Sequence, residues 1–390
     1  MSQSLTDLPP INHGQEGPSQ EEQRDARPRS LWWYSWRRLR KNKLAMVGLG
    51  IITVLVLVAI FADILAPADP NRQILEYVKK PTGFRGNVLV AQSQGGAYEE
   101  QYIVITSYSI QGDSVQYVDA LGRSNMIAQS RLIGNAEEEW HQEPLYLLGT
   151  DDLGRDVLSR LIYGARVSLS VGLVAEMLSL IIGVVLGAFA GYFRGWVDAV
   201  VMYCANVIWS FPFILLVIAL SIAWQSLWGE FVGLVEPVFP GIRDANAGFW
   251  QAFIAIGVAN WVDTARIVRG QFFSLRETEY VEATRAVGFG PWRTIFRHIL
   301  PNSLGPITVI TTAGFASAII AEASLAYIGM GVQIPMASWG QMIKDGYGNI
   351  AASTNYGLGL YPSIAIALAV FGFNMLGDGL RDALDPKLKR

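Results

Sequence analysis

The chain of 390 residues has one cysteine, Cys204, and three histidines, His13, His141 and His298. A lone thiol closes no intrachain disulfide and builds no cysteine zinc site, and the histidines are too scattered for a metal cluster. Charge is also scarce: Asp, Glu, Lys and Arg make up 16% of residues, against 51% hydrophobic. The 30 basic and 33 acidic residues nearly cancel, which leaves no basic field to hold nucleic acid. Only seven lysines occur, and none follows glycine or precedes Ser or Thr. A phosphate-cradling loop needs Gly-Lys followed by Ser or Thr, so this chain is no P-loop ATPase by itself and is expected to hold no cofactor. No Ser-His-Asp or Cys-His arrangement can be placed.

What the chain does have is long uncharged apolar blocks, with a mean hydropathy of +0.30. A bilayer core ~30 Å thick needs about 20 helical residues at ~1.5 Å each. Leu44–Ala62, Val167–Phe193, Ala199–Trp224, Gly248–Val262, Ser303–Gly331 and Asn355–Gly377 meet or approach that length. They predict an all-α polytopic membrane protein with six transmembrane helices in contact with lipid, the fourth being the weakest. The first span is read as an uncleaved anchor, because a tail of 43 residues precedes it.

Basic residues fix the expected orientation. Eight lie between Arg24 and Lys43, which places the N-terminus in the cytoplasm. Six spans return the C-terminus, with Arg381, Lys387, Lys389 and Arg390, to the same side of the membrane. Residues 1–43 read as a cytoplasmic tail, largely disordered, with a basic and aromatic juxtamembrane segment, and residues 44–66 as the first span. Residues 67–150 read as an extracytoplasmic insert with ten acids against six bases. Within it, Tyr102–Ile110, the turn Gln111–Ser114 and Val115–Val118 predict a hairpin, so the insert is expected to contain β-structure. Residues 151–386 hold the other spans.

Two acids interrupt those spans. Glu176 sits about ten residues into the second, and Glu322 about twenty into the fifth, which places it near the outer surface. A charge at midplane costs about 2.5–3.5 kcal/mol on insertion scales unless it meets water or a partner. Each is therefore either a gate or cavity residue or a carboxyl bonded to a neighbouring helix.

The cytoplasmic loop 270–301 has its own periodicity. Tyr280, Ala283, Thr284 and Val287 fall on one helical face, with Glu279, Glu282 and Arg285 on the other. Gly288 supplies a C′ position, and Pro291 opens a second helix at N1. Trp292, Ile295, Phe296 and Ile299 repeat the spacing, and Pro301 ends or kinks that helix. Two short amphipathic helices at a sharp turn suit either a membrane surface or a groove in a soluble partner.

Here the sequence resembles a known family. Glu282-Ala283-Thr284, with Gly288 six residues beyond the Glu and Leu300-Pro301 further on, looks like the docking loop of ABC importer permeases of the dipeptide/oligopeptide branch. Leu148 to Arg160, Ser210-Phe211-Pro212 and Ser338-Trp339-Gly340 agree in order and position. Thr284 departs from the commoner Ala and His298 from Ile. The resemblance implies a permease that forms half of a translocation path with a sister permease. It also implies two ABC ATPase subunits, which bind the ATP, and an extracytoplasmic substrate-binding protein. Tyr280, Glu282, Ala283, Thr284, Val287, Gly288, Trp292, Leu300 and Pro301 would then form the ATPase-docking loop. An ion-coupled secondary transporter and a membrane receptor or scaffold using the insert are the alternatives. Cargo stays open among peptides, nickel, glutathione and oligosaccharides.

Overall fold

A computed structural model describes residues 31–93, 100–134, 136–235, 247–332, 335–351 and 356–384. Most of the N-terminal tail and the terminal basic residues Lys387, Lys389 and Arg390 lie outside these. Helices α1 (Leu31–Leu39) and α2 (Lys43–Ile60) open the described chain. Asn42 separates them, and its side-chain oxygen accepts from the Ala45 amide at 3.2 Å, which caps α2. A single turn, α3 (Ala62–Leu65), leads into the strand-bearing region.

That region holds β1 (Phe84–Arg85), β2 (Val88–Gln92), β3 (Glu100–Gln111), β4 (Ser114–Asp119) and β5 (Ser124–Ala128). The short helix α4 (Glu137–Trp140), β6 (His141–Gln142) and β7 (Leu145–Tyr146) follow. Five strands form an antiparallel sheet in the order β5-β4-β3-β2-β6, and β1 pairs separately with β7. The expected hairpin is β3–β4, with Tyr108 opposite Tyr117 and Gln111 opposite Ser114. Alternation along the strands sends Leu89, Ile105, Val115 and Ile127 into one small core around Trp140.

The helical part comprises α5 (Val157–Phe193), α6 (Gly195–Trp209), α7 (Phe213–Val235), α8 (Ala247–Leu275), α9 (Glu279–Ala286), α10 (Pro291–Ile328), α11 (Trp339–Ala351) and α12 (Gly357–Leu384). Among the described residues, five helices are long and apolar enough to cross a membrane: α2, α5, α7, α10 and α12. The chain is a multi-pass helical membrane protein. The fourth expected span lies inside α8, which is not among the five; Gln251, Asn260 and Asp263 dilute its apolar content.

Two expectations are corrected. Ala199–Trp224 is not one span, because α6 stops at Trp209 and α7 starts at Phe213. Pro212 has no amide hydrogen and pushes Phe211 away from helical angles, so the chain breaks there. Pro301 does not end the helix: α10 continues from Pro291 to Ile328. A π-helical turn, Thr294–Ile299, directly precedes Leu300 and Pro301. Such a widened turn absorbs the hydrogen bond that a proline cannot donate.

Small residues set the helix pairing. Gly257 touches Ala175 and Leu178, Gly183 touches Trp261 and Thr264, Gly187 touches Ala265 and Val268, and Gly191 touches Arg269 and Phe272. Both sets of numbers rise together, so α5 and α8 run parallel. Glycines four apart bring the two backbones close, which compensates in lipid for the missing hydrophobic drive. α10 runs opposite to α5, with Gly172 on Ile319 and Gly314 on Glu176. α12 runs opposite to α2, with Gly379 on Ala45 and Gly372 on Ile52. α6 runs opposite to α8, because Asp198 pairs with Arg269 and Asn206 accepts from Arg266 at 2.9 Å.

Candidate functional site

The loop 270–301 folds as α9, a tight turn and the start of α10. α9 is bolted down by Val281, which is 0% exposed and packs with Tyr192, Phe272, Ile295 and Ile299. Thr284, one turn on, is also buried and donates to the Val281 carbonyl at 2.7 Å. Val281 and Thr284 thus form the inward face; of the four residues expected to share a face, Thr284 is buried and Tyr280, Ala283 and Val287 point outward. Periodicity located the helix, but several faces carry apolar residues, so it did not decide which is buried. The start of α10 divides in the same way, with Ile295 and Ile299 buried and Trp292 and Phe296 exposed.

Gly288 has φ +88°, the left-handed C′ conformation, and its amide bonds back to the Arg285 carbonyl at 2.9 Å. A Cβ built there would meet nothing within 4 Å, so the constraint is conformational rather than steric. Around the turn, Val287 is 72% and Trp292 65% exposed. The Trp292 and Phe296 rings stack with centroids 5.7 Å apart, and Phe189 meets Trp292 edge-on at 5.3 Å. Glu282 is exposed on the outward side. Leu300 packs against the Val281 cluster, and Pro301 is exposed beside it. Asn302 donates to the Tyr280 hydroxyl at 3.3 Å and to the His298 carbonyl at 2.8 Å, which ties the two helices together. The result is an apolar ridge on a well-anchored base.

The two interior acids lie elsewhere, between α5 and α10. Glu322 is 0% exposed and accepts from Ser168 Oγ at 3.0 Å; the same Oγ accepts from the Trp339 amide at 3.1 Å. The Trp339 indole donates to the Leu161 carbonyl at 3.0 Å, so Ser338-Trp339-Gly340 locks α11 onto α5 and α10. Glu322 therefore works as a buried carboxyl joining two helices. Glu176 is 1% exposed and accepts from Asn260 Nδ2 at 3.4 Å, across from Gly314.

Asn260 also lines a cavity of about 370 Å³ at the α6–α7 break. Its walls come from Ile208, Trp209, Phe211, Phe213 and Leu216 on one side, Ala259, Val262 and Asp263 of α8 on the other, and Ser317 of α10. Neither of the two acids read as gate or cavity residues lines it directly, although Glu176 touches its wall through Asn260. The polar interruptions of α8 were the available signal, since an apolar helix carries an Asn and an Asp at a cost.

A second cluster also escaped the sequence reading. Asp151 accepts from Arg155 Nε at 2.6 Å and lies 3.4 Å from Arg160 Nε, and Arg155 reaches Asp345 of α11 at 3.5 Å. Both arginines are buried. Asp156 caps α5 through the Ser159 amide at 2.7 Å. Burial pushes the Asp156 carboxyl up from the ordinary range. This knot joins the strand-bearing region to the helices.

Residues 183–390 match the family described as "Binding-protein-dependent transport system inner membrane component", and residues 30–81 match "N-terminal TM domain of oligopeptide transport permease C". A dipeptide transport system permease protein of Alkalihalophilus pseudofirmus is 36% identical over 92% of this chain and 91% of its own length. An oligopeptide transport system permease protein of Bacillus subtilis is 34% identical over 93% and 91%. A glutathione transport system permease protein of Pectobacterium atrosepticum is 37% identical over 62% and 73%. Among solved structures, the MetNI methionine ABC transporter in an inward-facing conformation aligns with a TM-score of 0.43 at 20% identity. It covers 58% of this chain and 96% of that one.

Proposed function

The chain belongs to the family of binding-protein-dependent transport system inner membrane components, and on that premise we propose that it is a permease subunit of an ATP-driven peptide importer. The observation that carries this reading is the ridge formed by Tyr280, Ala283, Val287 and Trp292. It faces outward on a helix whose other side is fixed in the bundle by Val281. An apolar ridge on a rigid base suits a groove in a soluble partner. The sequence has no Gly-Lys-Ser/Thr of its own, so that partner is the ATPase.

In this reading a sister permease completes the path, two ATPase subunits bind ATP and press on the two docking loops, and an extracytoplasmic binding protein delivers cargo. Both termini are cytoplasmic. Closure of the ATPases turns the permease pair from inward-facing to outward-facing by rigid-body movement. Peptides are the cargo that the dipeptide and oligopeptide relatives support. This chain itself catalyses no bond cleavage.

The test is gentle extraction of the tagged chain with identification of what co-purifies. A second permease and P-loop ATPases are expected, and reconstituted uptake should need ATP. A chain that is stable alone, with no ATPase captured by crosslinking from Glu282, would overturn the reading. The buried Glu176 beside the Asn260 cavity wall favours a second reading, an ion-coupled carrier; uptake that survives ATP depletion and stops with a proton ionophore would establish it.

A further inference from the structure

The cavity at the α6–α7 break has one acid on its wall. Asp263 is exposed there and makes no hydrogen bond or ion pair among the described residues. The nearest cation on the same helix, Arg266, is engaged elsewhere: its guanidinium lies 3.9 Å from the Trp209 ring centroid and donates to Asn206 at 2.9 Å. An ionised side chain on an apolar helix that pairs with nothing and faces a cavity marks a ligand path. Asn260, one turn before Asp263, gives its amide hydrogen to Glu176, and its carbonyl oxygen accepts from no described donor. Ser317 adds a hydroxyl from α10, and Phe211 and Phe213 add aromatic surface, which attracts cations as well as apolar groups. Carboxylate, amide oxygen, hydroxyl and ring faces all favour a positively charged hydrogen-bond donor.

We infer that this cavity receives a primary ammonium group of the transported peptide, with Asp263 as its counter-ion and Asn260 and Ser317 as acceptors. The inference rests on the peptide-importer reading and adds a charge preference to the path itself, separate from any selection by the binding protein. The ammonium can come from the peptide N-terminus or from a lysine side chain.

The experiment uses the complete importer in proteoliposomes with three probes: trialanine, N-acetyl-trialanine, and N-acetyl-Ala-Lys-Ala. Each is supplied with enough binding protein to be fully loaded. Wild type is expected to move trialanine about tenfold faster than its acetylated form, the order of one charge-assisted hydrogen bond. Asp263→Asn should erase that preference, and Asp263→Glu should restore most of it. Recovery of fast uptake with N-acetyl-Ala-Lys-Ala assigns the site to any primary ammonium, and its absence assigns it to the N-terminus; either keeps the site. Equal wild-type rates for the free and acetylated peptides, or an equal loss for both in Asp263→Asn, overturn the site while leaving the importer reading intact. Wild-type uptake of none of the probes overturns the peptide reading and this site with it.

Discussion

Gly187 of α5 lies directly on the backbone of α8: a Cβ added there would stand 2.5 Å from the Ala265 carbonyl oxygen. The obstacle is main chain, which cannot rotate aside. Gly187→Val should therefore fall at the upper end of the ~1–3 kcal/mol cost of overpacking. Gly270→Ala, on α8 where a Cβ meets nothing within 4 Å, should gain about 0.5–1 kcal/mol from helix propensity. Thermal unfolding in detergent measures both. Equal stability of the two variants would refute the close parallel pairing.

Gly288 has open space around it and a backbone at φ +88°. Gly288→Val is expected to cost about 1–2 kcal/mol through conformation alone and to re-aim the turn. Assembly should persist while ATP hydrolysis proceeds without uptake. Gly288→Asn, which tolerates the left-handed region, should be mild by comparison. The ratio of ATP hydrolysed to cargo moved is the readout, and a normal ratio in the valine variant would contradict the assignment of the turn.

Val281 and Val287 separate folding from docking. Val281→Asp buries an unpaired charge and should prevent recovery of folded protein. Val287→Asp is on the surface and should leave stability within about 0.5 kcal/mol while abolishing ATPase co-purification. Size-exclusion profiles report the first effect and pull-down the second. If Val287→Asp retains the ATPase at wild-type levels, the ridge is not the contact.

In the strand-bearing region, Tyr108 donates to the Glu137 carboxylate, and that bond, with some burial, raises its pKa from 10.0 to about 12. A proton held more tightly when folded contributes stability that is fully present below pH 10. That contribution is lost as pH rises through about 12. Burial likewise raises Tyr77, Tyr102 and Tyr146, so tyrosinate absorbance should show several hydroxyls fewer titrating near 10 than in the unfolded chain, Tyr108 among them. Tyr108→Phe should reduce that difference by one hydroxyl and leave the remainder; an unchanged difference would show that Tyr108 is not among the shifted groups.

Helix existence was legible from charge-free length, because lipid admits little else. Helix limits were less so. α5 begins ten residues before the apolar run at Val167, since Arg160 and Arg166 belong to it. These arginines are paired with Asp151 and Asp63, which a count of isolated charges cannot know. The break at Ser210-Phe211-Pro212 was visible as a motif but read as part of a continuous span. The helix–turn–helix at 279–301 was legible in position and in its left-handed turn at Gly288, while the buried position Val281 was not, because apolar residues occur on several faces of the short helix. Which helices pair, and that Asn260 links Glu176 to a cavity, depends on helix rotation, and no local pattern encodes rotation.

The unbroken course of α10 has a mechanical consequence. Its 38 residues extend about 57 Å at ~1.5 Å per residue, nearly twice the ~30 Å hydrocarbon thickness. One end abuts α9 at the Gly288 turn, and the other reaches Gly329, beyond the Glu322 clasp to α5 and next to α11. In the importer reading, a push at the ridge would travel toward the opposite water layer along this single helix. The widened turn at Thr294–Ile299 is the compliant collar at the driven end, where a small tilt becomes a large sweep at the far one.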